Sequence, residues 1–163
     1  MHFLIKILFS IRMIYVKEKF LSYLYTLNCF KVLGIDFGIR KTGLALYDSQ
    51  INIVLPYLIL QDILRNYQQI INILNKQDIK GIVIGYPLTL NCSKTKYTNI
   101  IVEFAEFLGT HCNIPITLSD ERFTTSMANQ LLKENNIKRK TRNKIDDLLA
   151  ACIILENFFY KKR

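Results

Sequence analysis

The sequence predicts an α/β domain. It has a mixed five-stranded sheet, formed by a three-strand antiparallel hairpin unit and then by strands alternating with helices that pack on it. Three observations predict this. Apolar runs near residues 31–37, 43–48 and 51–59 follow one another across short polar turns, as consecutive hairpins do. Beyond residue 60, segments with helical spacing alternate with short apolar runs, as in strands joined by crossover helices. The chain has 163 residues and is 50% hydrophobic, which suffices to bury one core without covalent staples and excludes a disordered chain.

The first two strands flank the stretch Gly34-Ile35-Asp36-Phe37-Gly38-Ile39-Arg40-Lys41-Thr42-Gly43. Val32, Leu33 and Ile35 precede Asp36, and Leu44, Ala45, Leu46 and Tyr47 follow Gly43. One carboxylate is therefore carried to the end of a buried strand while still facing solvent. Asp48-Ser49-Gln50 turns the chain into the third strand. Asp62 is placed to cap a helix through about Asn75, in which Ile63, Leu64, Tyr67, Ile70, Ile71 and Leu74 fall at helical spacing. Gly81-Ile82-Val83-Ile84-Gly85 suits a fully buried strand in a parallel part of the sheet. A polar loop, Tyr86 to about Lys94, precedes a helix over 95–109 that stops at Gly109. Ile114-Pro115-Ile116-Thr117-Leu118 is the fifth strand, with Asp120, Glu121 and Arg122 at its exit. Thr124 or Thr125 caps a helix through Leu132. A basic loop from Lys138 to Lys144 leads to a last helix, Ile145 to about Tyr160. Its Leu148, Leu149, Ile153, Ile154 and Leu155 make it apolar nearly all round, and Ala150 and Ala151 allow close approach to the sheet.

This orderly pattern begins at Lys31, so the chain divides into an apolar, basic extension over residues 1–30 and a sheet domain over residues 31–163. The extension is read either as the product of a start codon placed too far upstream or as an amphipathic segment. In the second case Ile11 to Tyr25 would form a basic helix at a membrane surface. Lys6 and Arg12 interrupt its apolar run, so neither a secretory signal nor a stable membrane span is expected. Cys29, Cys92, Cys112 and Cys152 lie too far apart for a metal motif, which points to reduced thiols in a cytoplasmic protein. The net charge of +9 favours a polyanionic partner, nucleic acid or an acidic membrane surface, although lysine-rich coding bias accounts for part of it.

Three acids stand at the ends of three elements: Asp36, Glu121 beside Asp120, and Asp146 beside Asp147. Strand ends in an open sheet gather ligands at one edge. Carboxylates converging there without His or Cys suit the hard cations Mg²⁺ or Mn²⁺. Two such ions about 4 Å apart activate water and stabilise the leaving oxygen in phosphodiester hydrolysis. Each acid also has a plainer reading. Asp36 caps its own turn, Glu121 is solvated, and Asp147 answers the dipole of a helix that begins beside it. Arg40 and Lys41 either grip a phosphate or are simply hydrated. Arg122 either clamps a phosphate or braces Glu121. Five of the seven residues Lys138 to Lys144 (Lys138, Arg139, Lys140, Arg142 and Lys144) are cationic, a nucleic-acid guide or a solvated run.

In four segments the chain resembles the YqgF family of the ribonuclease H-like superfamily, also called RuvX-type, which groups Holliday-junction resolvases and pre-16S rRNA nucleases. They are Gly34–Ala45, Val83–Leu88, Asp120–Thr125 and Lys144–Ala151, and they stand in the family's order from Lys31 onward. The resemblance implies a ribonuclease H-like fold with Asp36, Glu121 and Asp146 as metal-binding catalytic acids. It further implies a two-metal endonuclease processing the 5′ end of pre-16S rRNA during ribosome biogenesis, with the ribosomal small subunit as a partner. The alternatives are a resolvase of branched DNA and a non-catalytic rRNA-binding assembly factor. The chain departs from the family at Asn91-Cys92-Ser93, where a glycine is usual, and at Asp147, where a small polar residue is usual. An actin-like phosphotransferase shares the Asp36 hairpin, but it needs two lobes and the chain has room for one.

Overall fold

The computed structural model describes residues 14–87, 95–120 and 139–160, with side chains from 146 onward in the last of these. In chain order the elements are β1 (Ile14–Tyr15), α1 (Lys17–Leu24), β2 (Lys31–Asp36), β3 (Lys41–Asp48), β4 (Ile53–Gln61), α2 (Tyr67–Lys76), β5 (Ile79–Tyr86), α3 (Lys96–Cys112), β6 (Ile116–Asp120) and α4 (Arg139–Tyr160). The strands form one mixed sheet in the order β1-β6-β5-β2-β3-β4. β2, β3 and β4 are the expected antiparallel unit, while β5, β6 and β1 run parallel to β2.

Side chains alternate across a strand, so the sheet has two apolar faces, each covered by helices. On one face Leu33, Ile35, Leu44, Ile82 and Ile84 pack with α2 (Ile70, Leu74) and α3 (Ile101, Phe104, Leu108). On the other, Val32, Ala45 and Val83 pack with α1 (Phe20, Leu24) and α4 (Ile154, Leu155, Phe158). No helix among the described residues is long and apolar enough to cross a membrane.

Several local expectations are corrected. A sixth strand, β1, joins the five at the outer edge of β6, where two residues are all that pair. Residues 14–24 lie against the sheet: Phe20 and Leu24 are fully buried, and Lys17 donates to the carbonyl of Phe158 at the end of α4. Gly81 makes the room, since a Cβ there would come within 2.6 Å of the Phe20 ring. Phe20→Ala is accordingly expected to cost about 3–5 kcal/mol, read as a lower denaturant midpoint; an unchanged midpoint would show the ring to be peripheral.

Asp62 does not cap α2. It adopts φ +45° and closes a turn whose carbonyl accepts from Arg65 and Asn66, and the helix starts only at Tyr67. Gly109 is buried within α3, which runs on to Cys112 and ends at Asn113 in the left-handed conformation. Residues 139–144 are helical and not loop. The stretch holds no glycine or proline, and Arg and Lys propagate a helix nearly as well as any residue. The helix expected over 124–132 and most of the loop after Tyr86 lie outside the described residues.

Candidate active site

The first site acid is carried to its place by β2. Asp36 is the last residue of that strand and stands directly opposite Gly43 of β3. Alternation puts Gly34, Asp36, Lys41 and Gly43 on the α4 face, while Phe37 turns to the other side and packs on Phe104 at 4.9 Å between ring centroids. The turn after Asp36 is held twice. The Thr42 hydroxyl donates to the Gly38 carbonyl at 2.9 Å, and the Tyr97 hydroxyl donates to the Phe37 carbonyl. Tyr97 sits in the first turn of α3, fixed by a reciprocal capping box between Thr95 and Thr98. Tyr97→Phe keeps the ring and loses one hydrogen bond, so a stability loss of about 1 kcal/mol is expected in a denaturant titration. No loss would mean that the bond does not hold the turn.

Glycines let α4 reach the sheet. A Cβ on Gly43 would lie 1.9 Å from the carbonyl oxygen of Asp147, and one on Gly34 would lie 2.5 Å from Cγ of Leu155. The helix therefore comes close to the sheet at these two glycines, between the apolar side chains of Val32, Ala45 and Val83, and Asp147 arrives beside the end of β2. Burial, and then the negative charge of Asp147, raise the Asp36 carboxyl from 3.8 to about 7. Asp147 is itself raised by burial, partly offset by the Lys41 cation and reinforced by Asp146. Oδ1 of Asp146 is buried and accepts no hydrogen bond among the described residues. A buried carboxylate oxygen without a donor is costly unless a cation satisfies it.

Of the residues singled out in the sequence, the fold brings Asp36, Asp146 and Asp147 to one end of the sheet. Arg40 and Lys41 are exposed on the turn beside them. Arg139, Lys140, Arg142 and Lys144 lie on the first turns of α4 by their backbone positions. Glu121, Arg122 and Lys138 lie outside the described residues. Glu121 follows Asp120, the last residue of β6, which pairs with Tyr86 at the same end of the sheet as Asp36. Among the described residues, no three His, Cys, Asp or Glu side chains form a group that could hold a metal ion. The donor types suit a hard cation, since all are carboxylates and one oxygen of Asp146 is orphaned. Sequence reasoning had not settled the part of Asp147. Its signal was the glycine at 43, whose absent side chain leaves space for residue 147.

The parallel and antiparallel halves of the sheet, with acids at its open end, define a ribonuclease H-like fold. The chain superposes with a TM-score of 0.53 on the fowlpox virus Holliday junction resolvase, at 13% identity over 82% of this chain and 100% of that one. T. thermophilus RuvC in complex with Holliday junction substrate also gives 0.53, at 14% identity over 81% of this chain and 95% of that one. At such identities these likenesses show the fold. Residues 30–161 match the family described as "RuvX: Holliday junction resolvase", and the chain belongs to that family. A protein of Rickettsia africae named "Putative pre-16S rRNA nuclease" is 40% identical over 127 residues, which is 77% of this chain and 82% of the relative. The protein of that name from Rickettsia typhi is 41% identical over 127 residues, covering 77% and 81% of the two chains.

Proposed function

We propose that this protein is an endonuclease that hydrolyses phosphodiester bonds in structured nucleic acid with the help of Mg²⁺ or Mn²⁺. The substrate it fits best is the precursor of 16S rRNA, processed in the cytoplasm on or near the small ribosomal subunit. The observation that carries the chemistry is the partly buried acid Asp36 at a strand end, with the backbone of Asp147 seated on Gly43 opposite it and its charge raising the Asp36 carboxyl. The substrate rests on family membership and on the names of the relatives.

Asp36 and Asp146, with Glu121, would hold the cations. When bound, these lower the pKa of the attacking water and neutralise charge on the leaving oxygen. Lys41 stands beside the acid pair as a fixed positive charge for a backbone phosphate, with Arg40 next to it on the turn. Phosphate contacts position a strand without reading its sequence, so they serve RNA and DNA alike.

The family description and the fold of its structural neighbours favour a second substrate, a four-way DNA junction. A precursor rRNA fragment and a synthetic junction should be incubated side by side, each with Mg²⁺ and with chelator. Mg²⁺-dependent product from the rRNA alone supports the proposal, and product from the junction alone replaces the substrate. Binding with no product from either leaves a non-catalytic assembly factor.

A further inference from the structure

Two large apolar side chains stand in water where the chain passes from β4 into α2: Leu64 is 48% exposed and Tyr67 39%. They border a cavity of about 360 Å³, a size within the roughly 300–1,000 Å³ of small-ligand sites. One wall is Ile63, Leu64 and Tyr67. The other is α3, through Phe104 and Phe107, with the exposed Glu103 beside them. The aromatic part of the lining is braced, since Phe107 meets Tyr67 edge-on at 4.8 Å between ring centroids and stacks on His111 at 4.1 Å. Both walls hang from the turn after Asp36. The N–H of Asp62, just before Ile63, donates to the Arg40 carbonyl at 3.0 Å, and Tyr97 of α3 donates to the Phe37 carbonyl. A strand held at Arg40 and Lys41 is thereby brought beside the cavity.

We infer that this cavity receives an unpaired nucleobase of the substrate strand. This rests on the reading of the protein as a nuclease. Aromatic and aliphatic walls suit the flat face of a base, which stacks on such rings whatever its sequence. Glu103 repels phosphate, so the sugar–phosphate chain stays outside with the exposed cations Arg40, Lys41 and Arg65. The same carboxylate accepts a hydrogen bond from an N–H at the edge of a base. An apolar protein side chain would use the walls and leave the carboxylate unanswered. Structured nucleic acid offers free bases only in loops, bulges and strand ends, so the cavity favours cleavage beside an unpaired nucleotide.

The test measures binding by fluorescence anisotropy of the full chain in chelator, where no cleavage interferes. The two probes are a labelled single-stranded oligonucleotide and the same sugar–phosphate chain without bases. The unaltered protein is expected to hold the first about tenfold tighter. Tyr67→Ala should bring that ratio to within about twofold, and Tyr67→Phe should keep it. Glu103→Ala should lower the ratio while tightening the abasic chain, because a repelling charge is gone. A variant that merely fails to fold loses both probes, and the other position then decides. A ratio near one in the unaltered protein, or a ratio unchanged in both Tyr67→Ala and Glu103→Ala, overturns the base site and leaves the cavity to an apolar side chain of a partner protein. Failure to bind either probe overturns the nuclease reading itself.

Discussion

Asp36→Asn is expected to reduce cleavage by about a thousandfold or more, while making the metal-free protein more stable at pH 8. The first effect follows from the several kcal/mol that a correctly held cation supplies to the transition state, at about 1.4 kcal/mol per factor of ten. The second follows from the raised pKa. Asp36 ionises near 3.8 in the unfolded chain and at about 7 in the folded one, so the folded state retains a proton that the unfolded state has released. Stability associated with that proton is complete at low pH and is lost as the pH climbs from about 4 through about 7. Above that range the folded chain carries a buried anion beside Asp147, at a cost on the order of a few kcal/mol. Asparagine has nothing to ionise and escapes this cost. Added Mg²⁺ should reverse the ranking, stabilising the unaltered protein and not the variant. Denaturation curves in chelator at pH 5 and pH 8 would show it; a variant no more stable at pH 8 would mean that Asp36 is not a strained acid.

The second large effect is expected at Gly43. In Gly43→Ala the new methyl would overlap the backbone oxygen of Asp147 at 1.9 Å, and backbone cannot swing aside as a side chain does. The helix must lift, and a loss of about 3 kcal/mol or more is expected, together with most of any cleavage activity. Gly34→Ala and Gly81→Ala are instructive partners. Their nearest neighbours are side-chain atoms, Leu155 at 2.5 Å and the ring of Phe20 at 2.6 Å, both in the packed core, so a real but smaller loss is expected there. If all three substitutions cost the same, close docking of α4 on β3 is not what makes Gly43 necessary.

The parts of the fold legible in the sequence were those with strong periodicity. The hairpin around Asp36 announced itself because apolar arms flanked a turn rich in glycine and charge, and the three successive strands fixed the antiparallel half of the sheet. The edge strand β1 was not legible, because two residues carry no alternation and the segment around them mixes apolar residues with Arg12, Lys17, Glu18 and Lys19. The start of α4 was missed for an electrostatic reason. A run of like charges normally reads as solvated loop, yet residues 139–144 continue the helix that Ile145 onward makes favourable by packing. Asp62 looked like a helix cap and instead closes a turn with positive φ, a conformation that Asp tolerates better than most. At the site, only Asp36 stands where the sequence put it, at a strand end; Asp146 and Asp147 lie inside α4 and not at its start. The pairing of Asp36 with residue 147 could not be read from the sequence, because it depends on which face of α4 meets Gly43.

The position of β1 has a practical side. It runs parallel to β6 with Ile14 beside Ile116, and it lies at the outer edge of the sheet, three strands away from the strand that carries Asp36. A surface tether placed at Ile14 would therefore hold the molecule by the β1 edge of the sheet, away from the strand that carries Asp36. Immobilised assays with bulky ribosomal particles call for that orientation.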